Sequence, residues 1–139
     1  MLWKLGSELR RPRLSGGVAL SPVLLIVDDE TPVQELLADT FAAAGYAVAT
    51  AGNGREAIEM LEQAAFRPDG LVTDLRLGQG PDGWSVAKRA RELLPDLPVI
   101  YITGARGDEM RPSDAPDGVM LLKPFSREQM LMVTRALLC

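Results

Sequence analysis

Five residues stand out by type and by place: Asp28, Asp29, Asp74, Thr103 and Lys123. Each follows an apolar run. Asp28 and Asp29 come after Val23-Leu24-Leu25-Ile26-Val27, and Asp74 after Gly70-Leu71-Val72-Thr73. Thr103 comes after Val99-Ile100-Tyr101-Ile102, and Lys123 after Val119-Met120-Leu121-Leu122. Three carboxylates gathered in one place repel, by about 1–4 kcal/mol for each close pair. A divalent cation relieves that repulsion, and an oxygen-only donor set suits Mg²⁺. Such an ion beside a carboxylate can also neutralise an incoming phosphoryl group. Phosphoryl transfer needs an in-line nucleophile, a metal, and positive charge or hydrogen-bond donors on the equatorial oxygens. Asp74 is the candidate nucleophile, and Thr103 and Lys123 are candidates to hold the oxygens.

Composition removes the competing chemistries. The 139 residues contain no histidine and a single cysteine, Cys139. Ser-His-Asp triads, Cys-His dyads, His-ligated metals, Cys-built zinc or iron–sulfur sites and internal disulfides are therefore excluded within this chain. A hydrophobic fraction of 47%, 24% charged residues and a net charge of −4 describe an ordinary soluble globular domain. No apolar run approaches the roughly 18 residues that cross a bilayer, so no membrane association is expected.

The elements that must position these residues alternate. The run Val23–Val27 is short and wholly apolar, as in a strand buried on both faces. Thr31-Pro32-Val33-Gln34 reads as a capping-box helix start, and Val33, Leu36, Leu37, Thr40, Phe41 and Ala44 fall on one helical face up to Gly45. Tyr46–Ala51 reads as a second strand. Asn53 is a candidate N-cap for a helix lined by Ala57, Ile58, Leu61, Ala64 and Ala65. A glycine-rich loop, Gly78–Gly83, leads to a third helix with Trp84, Ala87, Ala90, Arg91 and Leu94 on one face. Residues 105–118 are polar and broken by Pro112 and Pro116, so any helix there is brief, over Asp108 to Arg111. Ser126-Arg127-Glu128-Gln129 is a second capping box, opening a last helix to Leu138. Alternating β and α elements imply a parallel sheet with helices on both faces, and ligands of such sheets bind beyond the carboxyl ends of the strands.

Ile26-Val27-Asp28-Asp29-Glu30, Val72-Thr73-Asp74, Ile102-Thr103-Gly104 and Leu122-Lys123-Pro124-Phe125, in this order and near this spacing, resemble the receiver domain of two-component response regulators (CheY-like). The likeness covers about Val23 to Leu138. It implies a flavodoxin-like, doubly wound five-stranded sheet of order 2-1-3-4-5, with a short or irregular fourth helix here. It implies that Asp74 accepts a phosphoryl group from a histidine kinase or histidine phosphotransfer protein. Asp29 would ligate Mg²⁺ directly, Asp28 through water, and Arg76 through its backbone carbonyl, with Asp74 completing the metal set. Thr103 and Lys123 would bind phosphoryl oxygens, and the Lys123–Pro124 bond is usually cis in the family. The bacterial cytoplasm is the expected place. Slow self-dephosphorylation is expected rather than enzymatic turnover.

Three positions depart from the family pattern. Met120 stands where a switch aromatic is common. Gly78 replaces a usual proline, so the Leu77–Gly83 loop is expected to be longer and looser. The segment between Thr103 and Lys123 is short and proline-broken. Residues 1–21 carry Lys4, Arg10, Arg11 and Arg13 against Glu8, about +3, and leave about −7 on residues 22–139. This basic extension reads as flexible, with a short helix Leu2–Leu9 as the sharper alternative, and residues 22–139 as the domain. The leading expectation is a stand-alone receiver acting by protein contact or as a phosphate shuttle or sink. It would have an unknown downstream protein partner, no nucleic-acid partner and at most a weak homodimer. The alternative is a phosphorylation-independent interaction module with an atypical switch. An aspartyl-phosphate phosphatase would need a general-acid Asp where Arg76 stands.

Overall fold

A computed structural model describes residues 21–104 and 111–138. Its elements are β1 (Val23–Val27), α1 (Thr31–Ala43), β2 (Ala47–Ala51), α2 (Gly54–Leu61), β3 (Gly70–Asp74), α3 (Gly83–Leu93), β4 (Val99–Thr103), β5 (Val119–Leu122) and α4 (Arg127–Leu138). The five strands form one parallel sheet in the order β2-β1-β3-β4-β5. Every strand therefore ends at the same edge, and the two halves of the winding part between β1 and β3.

The continuous apolar runs are explained by burial from both sides. Leu25, Val27, Leu71, Val99 and Tyr101 face α2 and α3, where they meet Ala57, Met60, Trp84, Val86, Ala87 and Ala90. Leu24, Ile26, Val72, Ile100 and Ile102 face α1 and α4, where they meet Leu37, Ala38, Phe41 and Met130. The Phe41 ring sits edge-on against Tyr46, with centroids 5.8 Å apart. Truncating such a fully buried ring costs about 3–5 kcal/mol.

Local signals place the helices, with exceptions. Gly45 takes φ +102° beyond α1, the left-handed stop that glycine permits. Asn53 caps α2 by accepting from the Glu56 N–H, while the Glu56 carboxylate accepts from Gly52 N–H. Ser126 and Gln129 bond each other's backbone N–H groups reciprocally, as the capping box requires. Asp82 caps α3 by accepting from Ser85 N–H. At α1 the expectation is corrected: the N-cap is Glu30 with no side-chain cap, and Gln34 turns away from the capping-box role. Its amide is claimed by two strand-end carbonyls described below. Strand β2 starts at Ala47 rather than Tyr46, because Tyr46 N–H closes the α1 C-terminus on Phe41 O. Helix α2 ends at Leu61, so Ala64 and Ala65 are exposed, and Phe66 fills the core in their place.

Between Arg111 and Gly118 there is a turn and no helix. This stretch is tied to the body by Lys88–Asp114 at 2.7 Å, by Arg91 to Asp117 O at 2.6 Å and by Tyr101 Oη donating to Pro116 O at 2.7 Å. Residues 1–20 of the expected basic extension (residues 1–21), residues 108–110 of the brief helix and Cys139 lie outside the described residues. Among the described residues, no helix is long and apolar enough to cross a membrane.

Candidate functional site

The carboxyl edge of the sheet brings the sequence-selected residues together. Asp28 follows β1, Asp74 ends β3, Thr103 ends β4 and Lys123 follows β5. Asp28, Asp74 and Thr103 are buried, whereas Asp29 and Glu30 are exposed. The Lys123 ammonium donates to Asp74 Oδ2 at 3.0 Å and lies 3.7 Å from Glu30 Oε1. Asp74 Oδ1 accepts from the Arg76 N–H at 3.1 Å, so both oxygens of this carboxylate are oriented. Lys123 N–H donates to Thr103 O at 2.9 Å, and the Lys123–Pro124 bond is cis.

The phosphoacceptor candidate is also gripped through its backbone. Its carbonyl accepts from Thr73 Oγ1 at 2.9 Å. Gly83 packs against the same carbonyl so closely that a β-carbon there would collide with it and with Leu75 Cα. The glycine-rich loop closes with Gly83 N–H on Leu75 O at 2.9 Å, and Gly78 and Gly80 take φ +71° and +89°. That closure seats the start of α3 on the end of β3.

One oxygen from each of Asp28, Asp29, Glu30 and Asp74 lies within 4.8 Å of the others. Asp28 Oδ1 accepts from Glu30 N–H at 2.8 Å, but Asp28 Oδ2 is buried without a hydrogen-bond partner among the described residues. An orphaned buried carboxylate oxygen is costly. Burial, reinforced by the Asp74 and Asp29 charges, pushes Asp28 up to about 6 against the pull of the Glu30 N–H and Lys123. Lys123 is held above its usual range. Burial alone would lower it, but the hydrogen bond to Asp74 and the charges of Asp74, Asp28 and Glu30 outweigh that. A divalent, oxygen-bound cation fits this donor set: it would satisfy the orphaned oxygen and offset the mutual repulsion of the carboxylates.

The receiver family is the one whose pattern this edge matches. The response regulator receiver domain model matches residues 24–135. The chain belongs to the response regulator receiver family. Its receiver domain is 38% identical to the response regulator receiver protein from Sinorhizobium medicae, with a TM-score of 0.78 over 85% of this chain and 94% of that one. It is 25% identical to Vibrio cholerae chemotaxis protein CheY4, with a TM-score of 0.72 over 85% and 99% of the two chains. It is 37% identical over 121 residues to "Response regulator MprA" of Mycobacterium ulcerans, covering 86% of this chain and 51% of that protein. The chain spans about half the length of the curated relatives it matches.

Two residues near the site receive no role from a motif reading. Glu30 joins the carboxylate group and contacts Lys123; its adjacency to Asp28-Asp29 is the available signal. Gln34 donates its side-chain amide to Asp28 O at 3.2 Å and Ala51 O at 3.0 Å, a role hidden behind its apparent capping-box spacing.

Proposed function

We propose that this receiver accepts a phosphoryl group on Asp74 from a phosphohistidine of a histidine kinase or phosphotransfer protein, with Mg²⁺ as the required ion. The carrying observation is the Lys123 ammonium, 3.0 Å from Asp74 Oδ2 within a group of carboxylates that includes an orphaned buried oxygen on Asp28. The donor's phosphorus–nitrogen bond breaks, with its electron pair retained by the imidazole. A phosphorus–oxygen bond to an Asp74 carboxylate oxygen forms in its place. Asp28, Asp29, Asp74 and the Arg76 backbone carbonyl would hold the ion, which supplies charge neutralisation at the phosphoryl oxygens. Lys123 supplies the same from the protein's side. Thr103, at the end of β4, supplies a hydroxyl donor. The Arg76 N–H orients Asp74, which reduces the reorganisation needed at the moment of transfer.

In this reading the domain is a phosphoacceptor that hydrolyses its own acyl phosphate slowly, not a turnover enzyme. Its donor places it in the bacterial cytoplasm, and its output is a protein contact. The test is intact-protein mass after incubation with Mg²⁺ and acetyl phosphate. One phosphoryl adduct is expected, absent in Asp74→Asn and absent with EDTA. An adduct that survives in Asp74→Asn overturns the assignment.

One observation favours a second reading, a phosphorylation-independent interaction module. Met120 lies on the edge strand opposite Tyr101, is 43% exposed, and puts no aromatic ring at the switch position. Partner affinity equal in the parent, the phosphorylated form and Asp74→Asn would favour that reading.

A further inference from the structure

We infer that Gln34 is a positioning residue for the acidic pair Asp28–Asp29. The inference rests on the metal-dependent reading above and names a residue that the metal site needs outside its ligand set. One side-chain amide bridges two strand ends: Gln34 Nε2 donates to Asp28 O at 3.2 Å and to Ala51 O at 3.0 Å. The Asp28 N–H donates to the same Ala51 O at 3.2 Å. Asp28 is thus held at its N–H by β2 and at its C=O by α1. Its Oδ1 is held by the Glu30 N–H, and Gln34 N–H itself closes the turn on Glu30 O at 3.0 Å.

The Asp28 carbonyl belongs to the peptide group that also carries the Asp29 N–H, and that group is planar and stiff. Pinning its oxygen fixes the plane of the peptide that joins the two acidic residues, and with it the relative placement of their Cα atoms. Of the Asp28 polar atoms only Oδ2 is left without a partner among the described residues, and Asp28 is one of the four clustered carboxylates. Partners that orient ligand carboxylates govern metal affinity without touching the ion. The choice of a neutral amide also matters. A glutamate at this position would set an acceptor against two carbonyls, and a lysine or arginine would add a cation to a cation site.

The test is Mg²⁺ affinity by titration calorimetry on the 139-residue chain and on Gln34→Met, which keeps length and loses both donors. Asp29→Asn serves as the control for the site. We expect about tenfold weaker Mg²⁺ binding in Gln34→Met, with the far-ultraviolet dichroism of a folded chain. A merely structural Gln34 would lower unfolding stability in EDTA and leave Mg²⁺ affinity within twofold of the parent, and that result overturns the inference alone. A parent that binds no Mg²⁺, or binds it equally well as Asp29→Asn, overturns the underlying reading and the inference with it. If Gln34→Met does not fold, Gln34→Asn takes its place; its shorter amide cannot span both carbonyls, and the same tenfold loss is expected.

Discussion

Lys123 reaches Asp74 across an intervening strand. Its Nζ comes from the end of β5 and stops 3.0 Å from Asp74 Oδ2 at the end of β3, with β4 between them. A divalent cation bound by these carboxylates would compete with this ammonium for Asp74. Lys123→Ala is therefore expected to tighten Mg²⁺ binding severalfold while slowing phosphorylation by acetyl phosphate by tenfold or more. Calorimetry and the adduct rate by mass spectrometry measure the two effects. Both moving in the same direction would contradict a shared role at Asp74.

Asp28 gives a pH signature. Its folded pKa is raised from 3.8 to about 6, chiefly by burial. For a carboxyl raised on folding, the folded state holds the proton more tightly than the unfolded chain. Its favourable contribution is fully present at low pH, fades as pH rises from 3.8 to about 6, and is lost above. The penalty for the ionised form is on the order of 2–3 kcal/mol. Asp28→Asn, which keeps the acceptor for Glu30 N–H, is expected to be more stable than the parent in EDTA above pH 6. The difference should shrink toward acid. Urea unfolding at several pH values measures it, and a pH-independent difference would rule out Asp28 as the source.

Gly83→Ala is expected to cost about 2–4 kcal/mol, because the new methyl group has the Asp74 carbonyl and Leu75 Cα in its place. Helical propensity alone would favour alanine by about 1 kcal/mol. A variant at or above parental melting temperature would show that α3 does not sit against the end of β3.

Tyr101 links the core to the segment 111–118. Its ring lies 4.6 Å from Trp84, and its hydroxyl donates to Pro116 O at 2.7 Å. Burial pushes that phenol up to about 12, so it stays a donor throughout the neutral range. Tyr101→Phe keeps the ring packing and loses one partly buried hydrogen bond, an expected cost of about 1 kcal/mol. Amide exchange should rise in residues 111–118 and remain at the parental level in β1 and β3. Exchange in residues 111–118 that stays at the parental level would contradict a holding role for the Tyr101–Pro116 hydrogen bond.

Most of the site was legible because its residues sit at strand ends. Runs such as Val23–Val27 and Val99–Ile102 announce buried strands by composition, and the polar residue that follows each run is delivered to the common edge. Caps with a single plausible acceptor, such as Asn53 and Ser126, are equally plain. The role of Gln34 is hidden because spacing cannot say which acceptor an amide prefers; the carbonyls of Asp28 and Ala51 are adjacent only once β1 and β2 have paired. Ala64 and Ala65 fit the helical period, yet α2 stops at Leu61, and Phe66 buries more apolar surface than either alanine could. The 111–118 segment was unreadable for a related reason. Its order comes from Lys88, Arg91 and Tyr101, all distant in sequence.

The two ends of the Lys123–Asp74 pair differ in mechanical compliance. Asp74 ends a strand bonded on both sides, to β1 and β4, and buried along its whole length. Lys123 follows the sheet's edge strand, which has a ladder on one side only and alternates partly buried with exposed residues. A load applied between them meets a stiff anchor at one end and a yielding strand at the other. A change in bulk or charge at Asp74 is therefore expected to displace β5 more readily than β3, on the flank that carries exposed Met120 and Leu122.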